Sequence, residues 1–325
     1  MTMREVAELA GVSSAAVSRY LNGGYISEAK AARIKAAIAQ TGYVPSNQAR
    51  ALRTGSTRLI GVIVPKINSE SIGRITAGIG QVLRERGYQM LLADTDNDAS
   101  AEVTYLELFQ SHPVDGIILI GTVITPEHRS FLDGARVPVV IAGQRVDGVG
   151  CVYHSDYAAA FDLGSRIAAM PFAREGKVAY IGVTRDDASA GAAREDGLRT
   201  GLAEAGIALD KALRRESPFS VEGGYACAKD LLARADAPSF IACATDTIAA
   251  SAIRAMGERG FADAPSRVSG FGDNHFLRAV TGGISTVHFG YKTSGIKAAE
   301  MLLGIIDGDA AACTQLELGY KLVGC

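Results

Sequence analysis

The sequence lacks the residue patterns on which metal binding and catalysis usually depend. Its five histidines are scattered without a His-x-x-x-His spacing, and its five cysteines show no paired spacing. The sequence therefore has no recognisable metal-binding motif and no disulfide framework. It contains no Walker sequence, no G-x-S-x-G and no G-x-G-x-x-G. No pair of a nucleophile and a base is recognisable from its spacing in the sequence. We therefore predict a protein that is not an enzyme and that needs no metal or cofactor.

Long apolar runs are also missing, which excludes a bilayer-spanning helix, and the N-terminus has no secretory apolar segment. Of the 325 residues, 48% are hydrophobic and 21% are charged, as is usual for a soluble globular protein. We expect a cytoplasmic protein with a small N-terminal unit and one or two larger domains.

The first 45 residues have the pattern of three short helices. Thr2 to Glu5 form a capping box, Gly11-Val12 makes a turn, and Ser13 is placed to cap a second helix. A third helix starts at Ser27 and is ended by Thr41-Gly42. This spacing predicts a helix-turn-helix headpiece over residues 1–45.

The second helix of such a unit enters the major groove of DNA, and its N-terminal residues face base edges. Its outward face is predicted to carry Ser14, Ala15, Ser18 and Arg19. Arg19 is the residue among them that is able to make a bidentate contact to guanine, whereas the serines hydrogen-bond bases or phosphates. The alternative is a three-helix packing unit with a solvated serine face.

Charge is distributed unevenly along the chain. Residues 1–58 hold eight basic and three acidic side chains, a net charge of +5, whereas the whole chain carries −2, which leaves −7 on residues 59–325. A basic head on an acidic body is what phosphate neutralisation by one module predicts.

A hinge segment is predicted over residues 46–58. Residues 46–52 have the length of one or two helical turns, which are stable only against a partner helix or DNA. Leu52 is a candidate wedge for a base step in the minor groove, with Asn47 and Arg50 nearby for polar contacts.

Beyond the hinge, short β-rich apolar runs alternate with segments of helix length, which is the rhythm of doubly wound parallel sheets. Two such series predict two Rossmann-like subdomains, with a ligand cleft outside the carboxyl ends of their strands. The predicted strands are Leu59–Val64, Met90–Ala93, Gly116–Ile120, Val137–Ala142, Val178–Val183, Ser239–Ala244 and Val268–Phe271.

These residues together resemble the lactose-repressor/galactose-repressor (LacI/GalR) family of bacterial transcription factors. The resemblance is carried by residues 4–65 and by "VDGIILIG", "YIGV", "ATDTIAASAIRAMGERG" and "STVHFGYKTSGIKAAEMLL". It implies an α-helical headpiece followed by a body of the periplasmic-binding-protein-like type I fold. It also implies a homodimer that binds a pseudo-palindromic operator and is switched by a small molecule. Ser14, Ala15 and Arg19 fall at base-reading positions, and Leu52 at the position inserted into the minor groove.

For the body, residues 59–325, we expect an N-subdomain over about 59–155 and 287–315. The C-subdomain is expected over about 156–286 with the C-terminal tail. The last strand (Ser285–His288) and the following helix (Gly290–Gly308) are expected to return to the first subdomain, as the family's crossovers imply.

Polar and aromatic residues near strand ends are the candidates for effector binding. By resemblance, Phe219 stacks on the ligand and Arg194 grips it. Plainer alternatives are a helix cap for Asp246, ordinary core for Phe219, a solvated acid for Asp187 and a pair with Glu195 for Arg194. The full candidate set is Lys66, Gln144, Asp187, Arg194, Phe219, Asp246, Asp273 and Tyr291.

Three departures from the family pattern bear on the ligand. Lys66 stands where many members carry an acid, Gly272 replaces a second acid, and Thr245 replaces an asparagine. The loss of one acid and the gain of a cation favour an anionic ligand. The residues around Lys66, from "YIGV" to Arg194, in "ATDT" and at Gly290-Tyr291 resemble most the trehalose- and sucrose-type repressors, where a basic residue at the position of Lys66 is associated with a sugar phosphate. Glu70 argues against that interpretation because it competes for the same helix N-terminus. A solvated Lys66 at the rim of the cleft is the alternative.

The sequence therefore predicts a repressor of a sugar-utilisation operon that a sugar or sugar phosphate releases from its operator. It is expected to act as a homodimer, without a membrane partner. The alternatives are a regulator of the same fold with a purine or phosphoprotein co-repressor, and a sugar-binding protein without a regulatory role.

Overall fold

The computed structural model describes residues 2–43, 56–112 and 114–324. The chain separates into two compact units, Met1–Thr57 and Arg58–Cys325. The hinge residues Asn47, Arg50 and Leu52 lie outside the described residues, so their roles stay predictions.

The first unit is helical in its described part. Its capping box is present, because Thr2 Oγ1 accepts from the Glu5 amide at 3.3 Å and the Glu5 carboxylate accepts from the Thr2 amide at 2.7 Å. Gly11, in the left-handed region at φ 60°, ends the first helix, and Ser13 Oγ caps the second by accepting from the Ala16 amide at 3.2 Å. The helices are α1 (Met3–Ala10), α2 (Ser14–Leu21) and α3 (Glu28–Thr41).

These helices enclose a small core of their own. Val6, Val17 and Ile34, one from each helix, are fully buried. Gly42 ends α3 in the left-handed conformation, as the sequence predicts. The helix-turn-helix headpiece is thus confirmed.

The second unit contains two sheets, each with six strands among the described residues. All neighbouring strands of the first sheet are parallel. Its spatial order is β2 (Gln89–Asp94), β1 (Leu59–Val64), β3 (Gly116–Ile120), β4 (Val139–Ala142), β5 (Gly150–His154) and β11 (Gln315–Leu318).

The second sheet is parallel except where β10 meets β12. Its order is β7 (Arg214–Glu216), β6 (Val178–Gly182), β8 (Phe240–Cys243), β9 (Val268–Phe271), β10 (Ser285–Phe289) and β12 (Tyr320–Val323). The predicted body of two Rossmann-like α/β subdomains is confirmed.

Helices connect most of the strands of both sheets. None of them, over the described residues, combines the length and the apolar character needed to cross a bilayer. They are α4 (Glu70–Glu85), α5 (Ala99–Ser111), α6 (Pro126–Asp133), α7 (Asp156–Ala168), α8 (Pro171–Glu175), α9 (Arg194–Glu204), α10 (Val221–Leu232), α11 (Asp246–Glu258), α12 (His275–Thr281) and α13 (Tyr291–Asp307). A π-helix spans Ala188–Ala193, and 3₁₀ turns span Lys211–Leu213 and Ala264–Arg267.

One predicted crossover is wrong. The strand Ser285–Phe289 does not return to the first sheet but lies in the second, parallel to β9, with Ser285 opposite Ser269. The physical reason is its hydrogen bonding: it pairs with β9 on one side and β12 on the other, and the chain crosses to the first subdomain only after Phe289. The helix α13 that follows does pack on the first subdomain, against α4, β3, β4 and β5.

Two glycines allow α4 and α13 to touch backbone to backbone. A Cβ added at Gly78 would lie 2.1 Å from the carbonyl oxygen of Lys292, and one added at Gly295 would lie 1.9 Å from that of Ile75. A real Cβ does not approach a carbonyl oxygen so closely, so glycine is required at both positions.

We predict that Gly78→Ala destabilises the second unit by about 1–3 kcal/mol, because the two helices must separate to admit a methyl group. Gly73 lies on the same helix with nothing within 4 Å of its added Cβ. Gly73→Ala is therefore the matched control and should be neutral or stabilising by up to about 1 kcal/mol. Urea unfolding of both variants measures the difference, and equal effects would contradict the close helix contact.

Candidate functional site

A cleft of about 1070 Å³, a volume that includes its open mouth, lies between the two sheets of the second unit. It is bounded by residues that follow the carboxyl ends of strands in both sheets, as predicted for this architecture. Of the predicted effector residues, seven line it: Lys66, Gln144, Asp187, Arg194, Phe219, Asp246 and Tyr291.

Arg194, the first residue of α9, is built into the wall of the cleft. It is 7% exposed, and its Nε donates to Asp156 Oδ1 at 2.7 Å. Burial works against its charge, but the adjacent Asp156 outweighs burial and raises the pKa of Arg194. The alternative pairing with Glu195 is wrong, because Glu195 instead accepts from Arg214 Nε at 2.9 Å. Arg194 therefore stays charged and fixed in position.

The rest of the Arg194 guanidinium is also held by the protein. Its Nη1 donates to the carbonyl oxygen of Ala244 at 2.8 Å. Its carbon lies 4.8 Å from the ring centroid of Phe271 and 5.2 Å from that of Phe289. Removing this side chain would leave Asp156 as a buried carboxylate without its cation, so Arg194→Ala disturbs folding as well as the cleft.

Asp246 is a buried acid that faces the second sheet. The cap of α11 is Thr245, whose hydroxyl accepts from the Ile248 amide at 3.3 Å, so the interpretation of Asp246 as merely a helix cap is wrong. Its carboxylate accepts from the Asn274 amide and from Thr286 Oγ1, each at 2.7 Å. Burial outweighs these bonds and raises the pKa of Asp246 to about 6.

Asp246 should make stability depend on pH. Because its folded pKa of about 6 exceeds its usual 3.8, its neutral form is favoured by folding. The corresponding stability is present below about pH 4 and is lost as pH rises through 6. We predict that the free energy of unfolding of Asp246→Asn, which does not titrate, rises relative to that of the parent protein by about 2 kcal/mol between pH 4 and 8. Denaturant unfolding of both proteins at several pH values tests this, and a constant difference would contradict it.

Asp187 and Gln144 join the two subdomains, here called lobes, one of which contains the first sheet and the other the second. Asp187 Oδ1 accepts from Gln144 Nε2 at 2.8 Å and from the Ser189 and Ala190 amides at 3.0 and 2.8 Å. Ser189 Oγ in turn donates to Gln144 Oε1 at 3.1 Å. Burial raises the pKa of Asp187, and its 2% exposure contradicts the alternative of a solvated surface acid.

Lys66 and Phe219 make a second link between the lobes. Lys66 Nζ donates to the carbonyl oxygen of Phe219 and lies 5.5 Å from the centroid of its ring. Lys66 is partly buried and bonded to the opposite lobe, which contradicts the alternative of a solvated residue at the rim. This burial lowers the pKa of Lys66. Phe219 is partly buried, packs against the edge of the main core and also lines the cleft, so its role in ligand binding stays a prediction.

Glu70 and Arg74, which the sequence analysis did not assign to the cleft, add two more links. Both Glu70 carboxylate oxygens accept from the His275 amide at 3.2 Å, and Arg74 Nη1 donates to the carbonyl oxygen of Gly272 at 3.2 Å. Arg74 also lies 5.6 Å from the ring centroid of Tyr291. With four sets of bonds across it, the cleft is closed in this structure.

His154 and Asp156 are cleft residues that sequence reasoning missed. Both follow from β5, a strand that the sequence analysis did not recognise. Had Gly150–His154 been read as a strand, the same rule of polar residues at strand ends would have found them. Tyr291 lies edge-on to His154, with ring centroids 5.7 Å apart.

Asp273 does not line this cleft, contrary to the prediction. Gly272 at φ 139° and Asp273 at φ 47° turn the chain sharply after β9. The Asp273 carboxylate therefore accepts from Arg278 Nη1 at 3.1 Å and lies 2.9 Å from His288 Nδ1. It lines an adjacent pocket near the C-terminal tail.

The candidate DNA-contacting face lies on α2. Ser14, Ala15 and Arg19 are exposed and Ser18 is partly exposed, whereas Val17 on the opposite side is fully buried. The four predicted base-reading residues thus share the outward face of the second helix. Tyr25, just beyond α2, is 91% exposed and is a further candidate contact.

Each of the two units matches a known protein family. Residues 2–46 match the model for the lacI family of bacterial regulatory proteins, and residues 174–324 match that of the periplasmic binding protein-like domain. The chain is 29% identical to the sucrose operon repressor of Staphylococcus xylosus over 92% of its length and 91% of the relative's. It is also 29% identical to the ribose operon repressor of Bacillus subtilis, over 99% and 97% of the two chains.

Among solved structures, the chain is similar to the complex of the transcriptional regulator CelR with cellobiose. The match has a TM-score of 0.72 and 26% sequence identity, and it covers 100% of this chain and 98% of that one.

Proposed function

We propose that this chain, which belongs to the lacI family of bacterial regulatory proteins, is a transcriptional repressor of a sugar-utilisation operon. A sugar bound in the cleft of the second unit releases it from operator DNA. The observation that carries this proposal is the combination, in one chain, of an exposed helix-turn-helix face with a closed cleft of aromatic and polar side chains. Two of its relatives are repressors of a sucrose operon and of a ribose operon.

The composition of the cleft favours a polyhydroxylated ligand. Phe219 and Tyr291 offer aromatic surface to the apolar face of a sugar ring, and Gln144, Asp187 and Asp246 offer donors and acceptors to its hydroxyls. A site built to bond hydroxyl groups leaves its own buried polar groups unpaired when the ligand lacks them, which gives specificity.

The balance of charge favours a neutral sugar over a sugar phosphate. Three basic side chains line the cleft, Lys66, Arg74 and Arg194, against four acidic ones, Glu70, Asp156, Asp187 and Asp246. Lys66 already donates to the carbonyl oxygen of Phe219, and Arg194 is paired with Asp156. A phosphate dianion would add charge to a site that already has one acid in excess.

Release from DNA follows from lobe movement. The bonds of Lys66, Glu70, Arg74 and Gln144 to the opposite lobe hold one closed arrangement. A sugar shifts the equilibrium between lobe arrangements only by its differential affinity for them. We propose that this shift lowers the affinity of the headpiece for its operator.

A homodimer is the proposed active form. The edge strand β2 pairs only with β1 among the described strands, and its Leu91 and Leu92 are 39% and 47% exposed. An exposed apolar edge is a pairing surface unless another element covers it. A second copy that covers this edge would also bring two headpieces to the two halves of a palindromic site.

Arg19→Ala is predicted to weaken binding to the selected operator by about 1–3 kcal/mol, because one bidentate base contact is lost. Binding to unrelated duplex should fall far less. Lys35→Ala, which removes an exposed cation from α3, is the matched control and should weaken both equally. An operator selected from random duplexes, titrated at fixed salt, gives both affinities. If Arg19→Ala lowers both by the same factor, Arg19 contacts only phosphate.

Phe219→Ala is predicted to abolish release from the operator by sucrose or cellobiose while operator affinity is kept, because the stacking surface for the sugar is lost. Phe219→Tyr keeps an aromatic ring and should restore release. Operator binding in a titration of each sugar measures both properties. A Phe219→Ala protein that still responds normally would exclude the ring from the sugar site.

A further inference from the structure

Two polar atoms in the wall of the cleft have no protein partner. Among the described residues, five buried side-chain nitrogen or oxygen atoms lack a hydrogen bond, and His154 Nε2 and Ser294 Oγ are two of them. Both residues line the cleft. A buried polar atom without a partner is costly, so native proteins rarely keep one without a functional reason.

These two residues lie at the end of the cleft where the chain crosses between the lobes. His154 is the last residue of β5, and Ser294 lies one turn after Tyr291 on α13. His154 is 8% exposed and Ser294 is fully buried. The His154 ring packs against Phe289 and Tyr291, with centroids 4.7 and 5.7 Å away, so aromatic rings fix its orientation.

The charged groups nearby are already engaged, which leaves an uncharged pair of polar atoms. Arg194 and Asp156 bond each other at 2.7 Å, and His288 lies 2.9 Å from Asp273. Burial lowers the pKa of His154 to about 4, so its imidazole is neutral at pH 7. A neutral imidazole nitrogen and a hydroxyl match a group that both donates and accepts, such as a sugar hydroxyl.

We propose that His154 Nε2 and Ser294 Oγ form a polar subsite at the crossover end of the cleft, which hydrogen-bonds an uncharged hydroxyl group of the effector. The inference rests on the proposed function, in which the effector is a sugar. It assigns a specificity role to two residues that sequence reasoning did not select. A sugar hydroxyl group at this end supplies the partner that the protein does not, so the subsite favours sugars with a hydroxyl there.

Substitutions in the subsite should weaken sugar binding without lowering the stability of the unliganded protein. Ser294→Ala removes a hydroxyl that no protein group uses, so the unliganded protein should unfold at the same or a higher temperature. Its dissociation constant for the sugar that the parent protein binds, sucrose or cellobiose, should rise about tenfold, the effect of one lost hydrogen bond to a buried group. His154→Phe should behave likewise, whereas His154→Gln, which keeps a donor and an acceptor, should recover part of the affinity.

Ser251→Ala is the matched control. Ser251 is as buried as Ser294, but its hydroxyl donates to the carbonyl oxygen of Val221 at 2.8 Å. This variant should lower the unfolding temperature without changing sugar affinity. Calorimetric titration with sucrose and cellobiose, together with thermal unfolding without sugar, measures every variant.

The outcomes distinguish the subsite from the function it rests on. If the parent protein binds sucrose or cellobiose and Ser294→Ala and His154→Phe bind it equally well, the subsite is wrong and the sugar cleft stands. If Ser294→Ala lowers the unfolding temperature as Ser251→Ala does, its hydroxyl has a structural role and the inference is overturned. If the parent protein binds neither sugar, the proposed effector class and the subsite fall together.

Discussion

The buried ion pair between Arg194 and Asp156 is the contact on which the geometry of the cleft depends. Asp156 opens α7 immediately after the chain crosses between the lobes, and Arg194 opens α9 after the π-helix. The two helices pack closely, since a Cβ added at Gly197 would lie 2.3 Å from the carbonyl oxygen of Tyr157. A buried pair of this kind is costly unless both partners are fully bonded. The position of this ion pair therefore fixes both the wall of the cleft and the point at which the chain enters the second lobe.

The remaining acids of the cleft divide into two kinds because of what surrounds them. Asp187 is held by the Ser189 and Ala190 amides of its own lobe and by Gln144 across the cleft, so its bond to Gln144 depends on lobe closure. Asp246 is held within its own lobe by Thr286 and Asn274, so its bonds do not. A ligand that replaces Gln144 as partner of Asp187 therefore acts on the relation between the lobes, whereas one that bonds Asp246 acts on affinity alone.

The sequence predicts the headpiece and the body well because their signals are local. A capping box, a turn glycine and buried apolar runs each specify an element within a few residues, and Thr2, Gly11 and Leu59–Val64 confirm this. Strands β7, β11 and β12 escape it because they lie at sheet edges, where polar residues such as Arg214 and Arg215 interrupt the apolar pattern. β5 lies inside its sheet and escapes it because Gly150, Tyr153 and His154 leave too short an apolar run. His154 and Asp156 escape with β5, and Asp273 is misplaced because its turn depends on the left-handed backbone of two successive residues.

The presence of Lys66 in place of an acid affects the contact between the lobes more than the charge of the ligand. Read alone, a cation in place of an acid favours an anionic ligand. In the folded chain the ammonium group donates to the carbonyl oxygen of Phe219 and lies near the ring of that residue, which makes it a bond between the lobes. Since the same ring is the proposed stacking surface, a sugar that stacks there competes with Lys66 for it. The free energy of the bond between Lys66 and Phe219 then opposes the free energy of sugar binding. A switch between two lobe arrangements requires such a balance.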